Sequence, residues 1–200
     1  MIRILIRTLK VLGWGVASVV LALLLAFLYY DVTEFQSRRE NIVQLIADAH
    51  PAERSPPEML GRLLLTEHHG DLSLQAARLL LSRLDVPSAW HHGLSWHRNS
   101  TLWWLLVRLH LSKAEQLTIL CSTSFLGRRA YGYEAGAQTY FQRPLTGLTD
   151  QELATLVILP RSPSRWSRPD HSEDLLAARD GLLTRTYAAE RGLAEHPDDH

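Results

Sequence analysis

The 200-residue sequence contains a single cysteine, Cys121, which excludes an internal disulfide framework. Excess charge of either sign is missing too. Twenty-one Lys and Arg balance 21 Asp and Glu, for a formal net charge of zero. The broad basic footprint of a nucleic-acid-binding domain is therefore absent, and no nucleic-acid partner is expected. No Gly-x-Ser-x-Gly elbow occurs, so a serine hydrolase has no support. Internal repeats and low-complexity tracts are lacking, which sets aside solenoids and biased linkers. The ten histidines are not spaced as metal ligands. His68-His69 and His91-His92 are adjacent pairs, whose side chains point apart on a helix, and no pair at i, i+4 brackets a glutamate. No metal site is expected from them.

Acidic residues are also missing from the first thirty positions, and what stands there is informative. Arg3, Arg7 and Lys10 precede an uninterrupted apolar run from Val11 to Tyr30. At about 1.5 Å per residue such a run spans about 30 Å, the thickness of a bilayer core. It ends in Leu28-Tyr29-Tyr30-Asp31, which offers no small-x-small cleavage site. Basic residues before and acidic residues after place the N-terminus in the cytoplasm and residues 31–200 outside. Tyr29 and Tyr30 fall where an interfacial aromatic belt would lie.

Beyond Asp31 the pattern predicts helix after helix. Residues 34–49 form an amphipathic stretch suited to a stalk. Ser55-Pro56-Pro57-Glu58 is expected to open a helix as a capping box, with Ser55 as cap, proline at the first helical position and Glu58 reaching back, followed by Leu60, Leu63 and Leu64 at helical spacing. Ser73 is expected to cap a helix with Leu74, Ala77, Leu81 and Leu84 on one face. Residues 85–98, with Pro87 and Gly93, are the least regular segment. Asn99 is expected to open a helix carrying Leu102, Leu105, Leu106 and Leu109. Ser112-Lys113-Ala114-Glu115 is a capping box; it precedes a stripe of Ala114, Leu117, Leu120, Cys121 and Phe125, with Gly127 as terminator. Glu134–Phe141 is short and rich in small residues. Thr149-Asp150-Gln151-Glu152 is another capping box, running to Leu159 before Pro160, and Ser172 opens the last long helix. No run alternates with period two, so the fold class is all-α. Trp90, Trp96, Trp103 and Trp104 cluster closely; they read either as core or as a surface resting on lipid.

From Leu111 to about Tyr187 the motifs resemble a known family. Leu111-Ser112-Lys113-Ala114-Glu115-Gln116-Leu117, the stretch Phe125-Leu126-Gly127-Arg128-Arg129-Ala130-Tyr131-Gly132-Tyr133-Glu134, and Leu159-Pro160-Arg161-Ser162-Pro163-Ser164-Arg165-Trp166 follow in order. With Arg179 further on, they are similar to the peptidoglycan glycosyltransferases of glycosyltransferase family 51. Thr66-Glu67-His68-His69-Gly70 resembles that family's first catalytic motif in shortened form. The resemblance implies a lysozyme-like domain that polymerises lipid II at the outer face of a bacterial inner membrane. One glutamate serves as general base on the acceptor sugar. A second glutamate, with basic residues and often a divalent cation, assists departure of the lipid pyrophosphate.

Carried over position by position, the site is incomplete. Where the family has its second glutamate this chain has Thr118, and where it has an asparagine four residues later this chain has Ser122. Both are expected beside the apolar stripe, facing a cleft, and neither can carry the family's charge. Glu115 one turn away is explained by its capping box. Lys113 survives at the family's lysine position and is expected to bind substrate. Glu67 is either the catalytic glutamate after a deletion or merely the residue preceding the histidines. His92-Gly93-Leu94-Ser95 is at best a remnant of the family's glycine-serine stretch.

The expectation is thus a cytoplasmic flank (1–10), a transmembrane helix (11–30), a stalk (31–54), a lysozyme-like domain (55–192) and a polar tail (193–200). No cofactor is certain. The chain is expected in the inner membrane with a periplasmic domain, binding lipid II, glycan strands or a peptidoglycan synthase without catalysing polymerisation. The alternative is an active glycosyltransferase with a rearranged site.

Overall fold

Residues 2–84, 86, 94–166 and 172–195 are described by the computed structural model. The chain divides into two compact units, Met1–Glu40 and Asn41–His200. In the first, α1 (Ile2–Tyr30) carries the apolar run. Within the helical stretch from Leu12 to Ala47 the most apolar window has a mean hydropathy of 2.2, enough by length and composition to cross a membrane. Trp14, Leu21, Leu24 and Leu28 are exposed along it, as lipid-facing side chains would be. A π-turn (Asp31–Phe35) and a 3-10 turn (Gln36–Arg38) follow, where Thr33 and Ser37 hydroxyls donate to the Tyr29 and Thr33 carbonyls.

Among the described residues the second unit is all-α apart from one small hairpin, consistent with a lysozyme-like domain. Its described helices are α2 (Arg39–Ala47, belonging to it from Asn41 onward), α3 (Pro51–Arg54), α4 (Glu58–Glu67), α5 (Ser73–Arg83), α6 (Leu94–His110), α7 (Lys113–Thr123), α8 (Tyr133–Phe141), α9 (Asp150–Ile158), α10 (Pro163–Trp166) and α11 (Ser172–Glu195). α5 packs on α6 and α7, while α4 packs on α9 and α11. Leu60, Leu63, Leu80, Leu81, Trp103, Leu106, Ile119, Leu156 and Leu182 are fully buried between them, and burying each such side chain is worth about 1.5–3 kcal/mol. Residues 41–54, expected in the stalk, lie within this unit, with Ile42 and Glu53 buried.

Two of the capping boxes form as the spacing predicts. The Ser112 hydroxyl accepts from the Glu115 N–H while Glu115 accepts from the Ser112 N–H at 2.7 Å. Thr149 and Glu152 repeat the pattern on α9. Other starts differ. α4 begins at Glu58 with no side-chain cap; Ser55 instead ends α3. That one-turn helix is capped by His50, whose Nδ1 accepts from the Ala52 N–H, and by Glu53, which accepts from the His50 N–H at 3.3 Å. At α5 the Asp71 carboxylate accepts from the Ser73 N–H, while the Ser73 hydroxyl donates inward to Gln116.

α6 opens at Leu94, so Asn99 is buried inside it rather than at its start. Its inner face is Trp103, Leu106 and Val107; Leu105 and Leu109 are exposed. In α5 the buried stripe is Ala76, Ala77, Leu80 and Leu81, and Leu74 faces out. In α7 it is Gln116, Thr118, Ile119, Leu120 and Cys121, while Ala114 and Phe125 are exposed. α7 ends at Thr123, short of Gly127. Gly127 belongs instead to β1 (Phe125–Gly127), which pairs antiparallel with β2 (Ala130–Tyr131) across a two-residue turn. Of the clustered tryptophans, Trp103 is core and Trp96 and Trp104 are half-buried; Trp90 and the pair His91-His92 fall outside the described residues.

Candidate functional site

Two polar pockets flank the junction between α4 and α5. Glu67 is the last residue of α4, and the chain turns sharply after it, with positive φ at His69 (54°) and Gly70 (82°). This leaves the Glu67 carboxylate facing the 3-10 turn Leu159–Arg161 that follows α9. The Arg161 guanidinium grips it with Nε and Nη2, one to each carboxylate oxygen. Arg185 Nη2 stands 3.8 Å away. Glu67 and Arg161 line a pocket of about 190 Å³ with His68, Gln75, Ser124 and Tyr133. Burial pulls the His68 pKa below its ordinary value, although the Glu67 charge opposes this. The Ser124 hydroxyl is occupied, donating to the Leu120 carbonyl at 2.7 Å. Tyr133 is fully buried, and its hydroxyl ionises well above the usual range for that reason.

The second pocket, about 450 Å³, is lined by Gly70, Asp71, Ser73, Arg108, Ser112, Lys113 and Gln116. Trp104 Nε1 donates to Asp71 Oδ2 at 3.0 Å, and Arg108 Nη1 lies 3.8 Å from the same oxygen. Burial acts to raise the Asp71 pKa, but the hydrogen bonds from Trp104 and Ser73 and the Arg108 charge outweigh it, so the net shift is downward. The Arg108 guanidinium also sits 5.9 Å from the Trp104 ring centroid, within cation–π range. Lys113 is exposed at the first turn of α7, where the N-terminal end of the helix dipole adds to its positive potential.

The four residues singled out from the sequence are therefore not gathered in one cleft. Glu67 lines the smaller pocket and Lys113 the larger. Thr118 lines neither of these two. It is 4% exposed, and its hydroxyl donates to the Ala114 carbonyl at 3.0 Å. The expected cleft-facing position of Thr118 is thus not what the helix presents. Ser122 is half-buried, and its hydroxyl oxygen has no hydrogen-bond partner among the described residues. Glu115 is committed to capping α7 through both the Ser112 N–H and hydroxyl. Among the described residues no three His, Cys, Asp or Glu side chains are grouped to hold a metal ion. The Cys121 thiol is buried, and burial raises its pKa far above the usual range.

Sequence reasoning missed Glu53. It is 5% exposed and accepts from the backbone N–H of Glu134, the second residue of α8, at 3.0 Å. Burial pushes its pKa up, and the N–H groups of Glu134 and His50 partly offset this. Gly132 (φ +87°) lies so close that an added Cβ would strike the Glu53 carboxylate. Only the glycine, whose backbone tolerates both the angle and the approach, could have hinted at such a neighbour.

Compared with known proteins, residues 72–187 match the family model described as "Transglycosylase". The chain is 39% identical to penicillin-binding protein 1A of Pseudomonas aeruginosa over 69 residues, 34% of this chain and 8% of that protein. It is 29% identical to penicillin-binding protein 2D of Bacillus subtilis over 110 residues, 54% of this chain and 16% of that protein. Penicillin-binding protein 1A of Haemophilus influenzae is 46% identical over 54 residues, 27% of this chain and 6% of that protein. The chain thus spans only a small fraction of the length of these relatives. The family match begins at Leu72, so it contains Lys113, Thr118 and Ser122 but not Glu67.

Proposed function

The chain belongs to the transglycosylase family, and on that premise we propose that it is a membrane-anchored member that binds lipid II or its glycan product without polymerising it. The observation that carries this reading is Thr118. The resemblance assigns that position to the glutamate assisting the leaving group, yet here the side chain is neutral, buried and bonded to its own helix. A general base and stabilisation of developing negative charge are the two demands of glycosyl transfer to a sugar hydroxyl. The second has no carboxylate at Thr118 or Ser122 to hold a divalent cation, so the residues present do not fit the ion that family members often use. The first has at most Glu67, whose two oxygens both receive Arg161.

Binding is better supported than chemistry. Lys113 and Arg108 face one pocket at the start of α7. Lys113, with Arg108 shared by Asp71, leaves this pocket net positive, which suits the pyrophosphate of a lipid-linked sugar. In this reading the apolar helix α1 crosses the inner membrane with its basic flank in the cytoplasm, and residues 31–200 face the periplasm. An active peptidoglycan synthase is the natural partner for such a domain. The test is lipid II binding by the full-length protein beside Lys113→Ala. Measurable binding that weakens in the variant, with no glycan strands formed, is the expected result. Binding unaffected by Lys113→Ala would remove the larger pocket from the account.

A second reading keeps an active enzyme with a rearranged site. It is favoured by one observation: Glu67 faces a pocket it shares with His68, whose burial lowers its pKa. Polymer made by wild type and abolished in Glu67→Gln would put this reading first.

A further inference from the structure

The tight turn between β1 and β2 is built from residues that such turns avoid. Gly127, Arg128 and Arg129 have successive φ values of +85°, +48° and +64°. Positive φ at both central residues is the pattern of a type I′ hairpin, which strongly prefers Asn-Gly; here both positions are arginine. Side chains in this backbone region are strained, and strain of this kind concentrates at functional surfaces. The arginines are not placed there to make ion pairs: both are exposed, and neither pairs with a carboxylate among the described residues. Arg128 instead lies 5.0 Å from the Tyr140 ring centroid. The Tyr140 hydroxyl donates to the Leu126 carbonyl at 2.8 Å, which fixes the base of the hairpin. Beside the turn, Phe125 and Tyr131 form a cross-strand pair with ring centroids 4.9 Å apart, yet they are 39% and 59% exposed. A preorganised tip thus offers two cations without carboxylate partners next to two exposed aromatic rings.

We infer that the Phe125–Tyr131 hairpin docks on anionic lipid headgroups, with Arg128 and Arg129 on phosphates and Phe125 and Tyr131 at the headgroup boundary. Basic residues beside aromatic ones are the chemistry of the membrane interface. The inference rests on the reading of α1 as a membrane anchor. Only residues 31–40 separate the end of α1 from the second unit, so an anchored domain would meet a bilayer surface at high effective concentration.

The test is hydrogen exchange on the full-length protein in nanodiscs of phosphatidylcholine alone and in nanodiscs also containing phosphatidylglycerol. Amides of residues 125–131 should exchange more slowly in the anionic discs, by about fivefold for each arginine engaged. The difference should vanish near 1 M salt, where screening acts within about 3 Å. The paired variant Arg128→Asn/Arg129→Gly restores favoured turn residues. It should melt at a higher temperature than wild type and lose the lipid dependence. Equal exchange in both discs, with the protein still inserted, would overturn the inference while leaving the anchor intact. Failure to incorporate into either disc would overturn the anchor, and the hairpin inference with it.

Discussion

Glu67 and Arg161 join two stretches far apart in sequence, and the geometry of their contact decides what either can do. Glu67 is nearly buried and Arg161 is partly exposed, so the pair lies between a surface salt bridge and a buried one. Glu67→Gln should cost about 1–2 kcal/mol of stability, the range for a charged hydrogen bond discounted for solvent. A double-mutant cycle with Arg161→Ala, read by urea denaturation, should show the two losses to be non-additive. Neighbouring His68 gives a pH signature. Its folded pKa lies below 6.5, and burial is the cause. Below pH 6.5 the unfolded chain takes up the proton first. The stability contributed by the neutral buried imidazole is therefore present above pH 6.5 and lost as pH falls through the folded value. In His68→Gln that part of the acid sensitivity of the melting temperature should disappear. The tie between Glu67 and Arg161 was not legible in sequence, because nothing local marks a contact across 94 positions. Thr118 shows the complementary limit. The resemblance aligns it with a glutamate, but its burial follows from how α7 packs on its neighbours, which motif spacing does not show.

At the scale of elements, the sequence was most informative where hydrogen bonds are local. The capping boxes at Ser112 and Thr149 need only residues three apart, and both formed. Ser55 and Ser73 carry the right side chain for a cap, but tertiary partners won. Ser73 turned inward to Gln116, and the chain at Ser55 was already closing α3. The hairpin was missed because five residues cannot show a period of two, and its turn lacks the usual Asn-Gly signal. The start of α8 is a further case of a distant cap. Gly132 offers no side chain, so Glu53 supplies an acceptor from α3. Glu53→Ala should leave the Glu134 N–H unsatisfied and cost about 1–3 kcal/mol. Gly132→Ala should destabilise as well, since the new Cβ meets the same carboxylate at a positive φ. Hydrogen exchange localised to residues 133–136 should rise in both variants. Faster exchange throughout the domain with none at α8 in particular would remove Glu53 from the capping role.

For the whole molecule, the all-α class and the apolar helix were legible because helical periodicity and a twenty-residue run are long signals. The family was legible because its motifs are colinear over the part of the chain that the Transglycosylase match covers. The division of the chain was less so: amphipathic residues 41–47 suit a stalk and a domain helix equally, and only packing distinguishes them. The proposed topology is checked by a reporter fused after His200, which should be active outside the cytoplasm; activity in the cytoplasm would contradict the periplasmic placement of the domain. The central claim is that this family member holds a lipid-linked sugar without polymerising it. The most direct measurement is glycan-strand formation from lipid II by the purified full-length protein, resolved on gels beside a no-protein control. The account predicts no strands above the control for wild type and for Glu67→Gln alike. Strands made by wild type and lost in Glu67→Gln would contradict it.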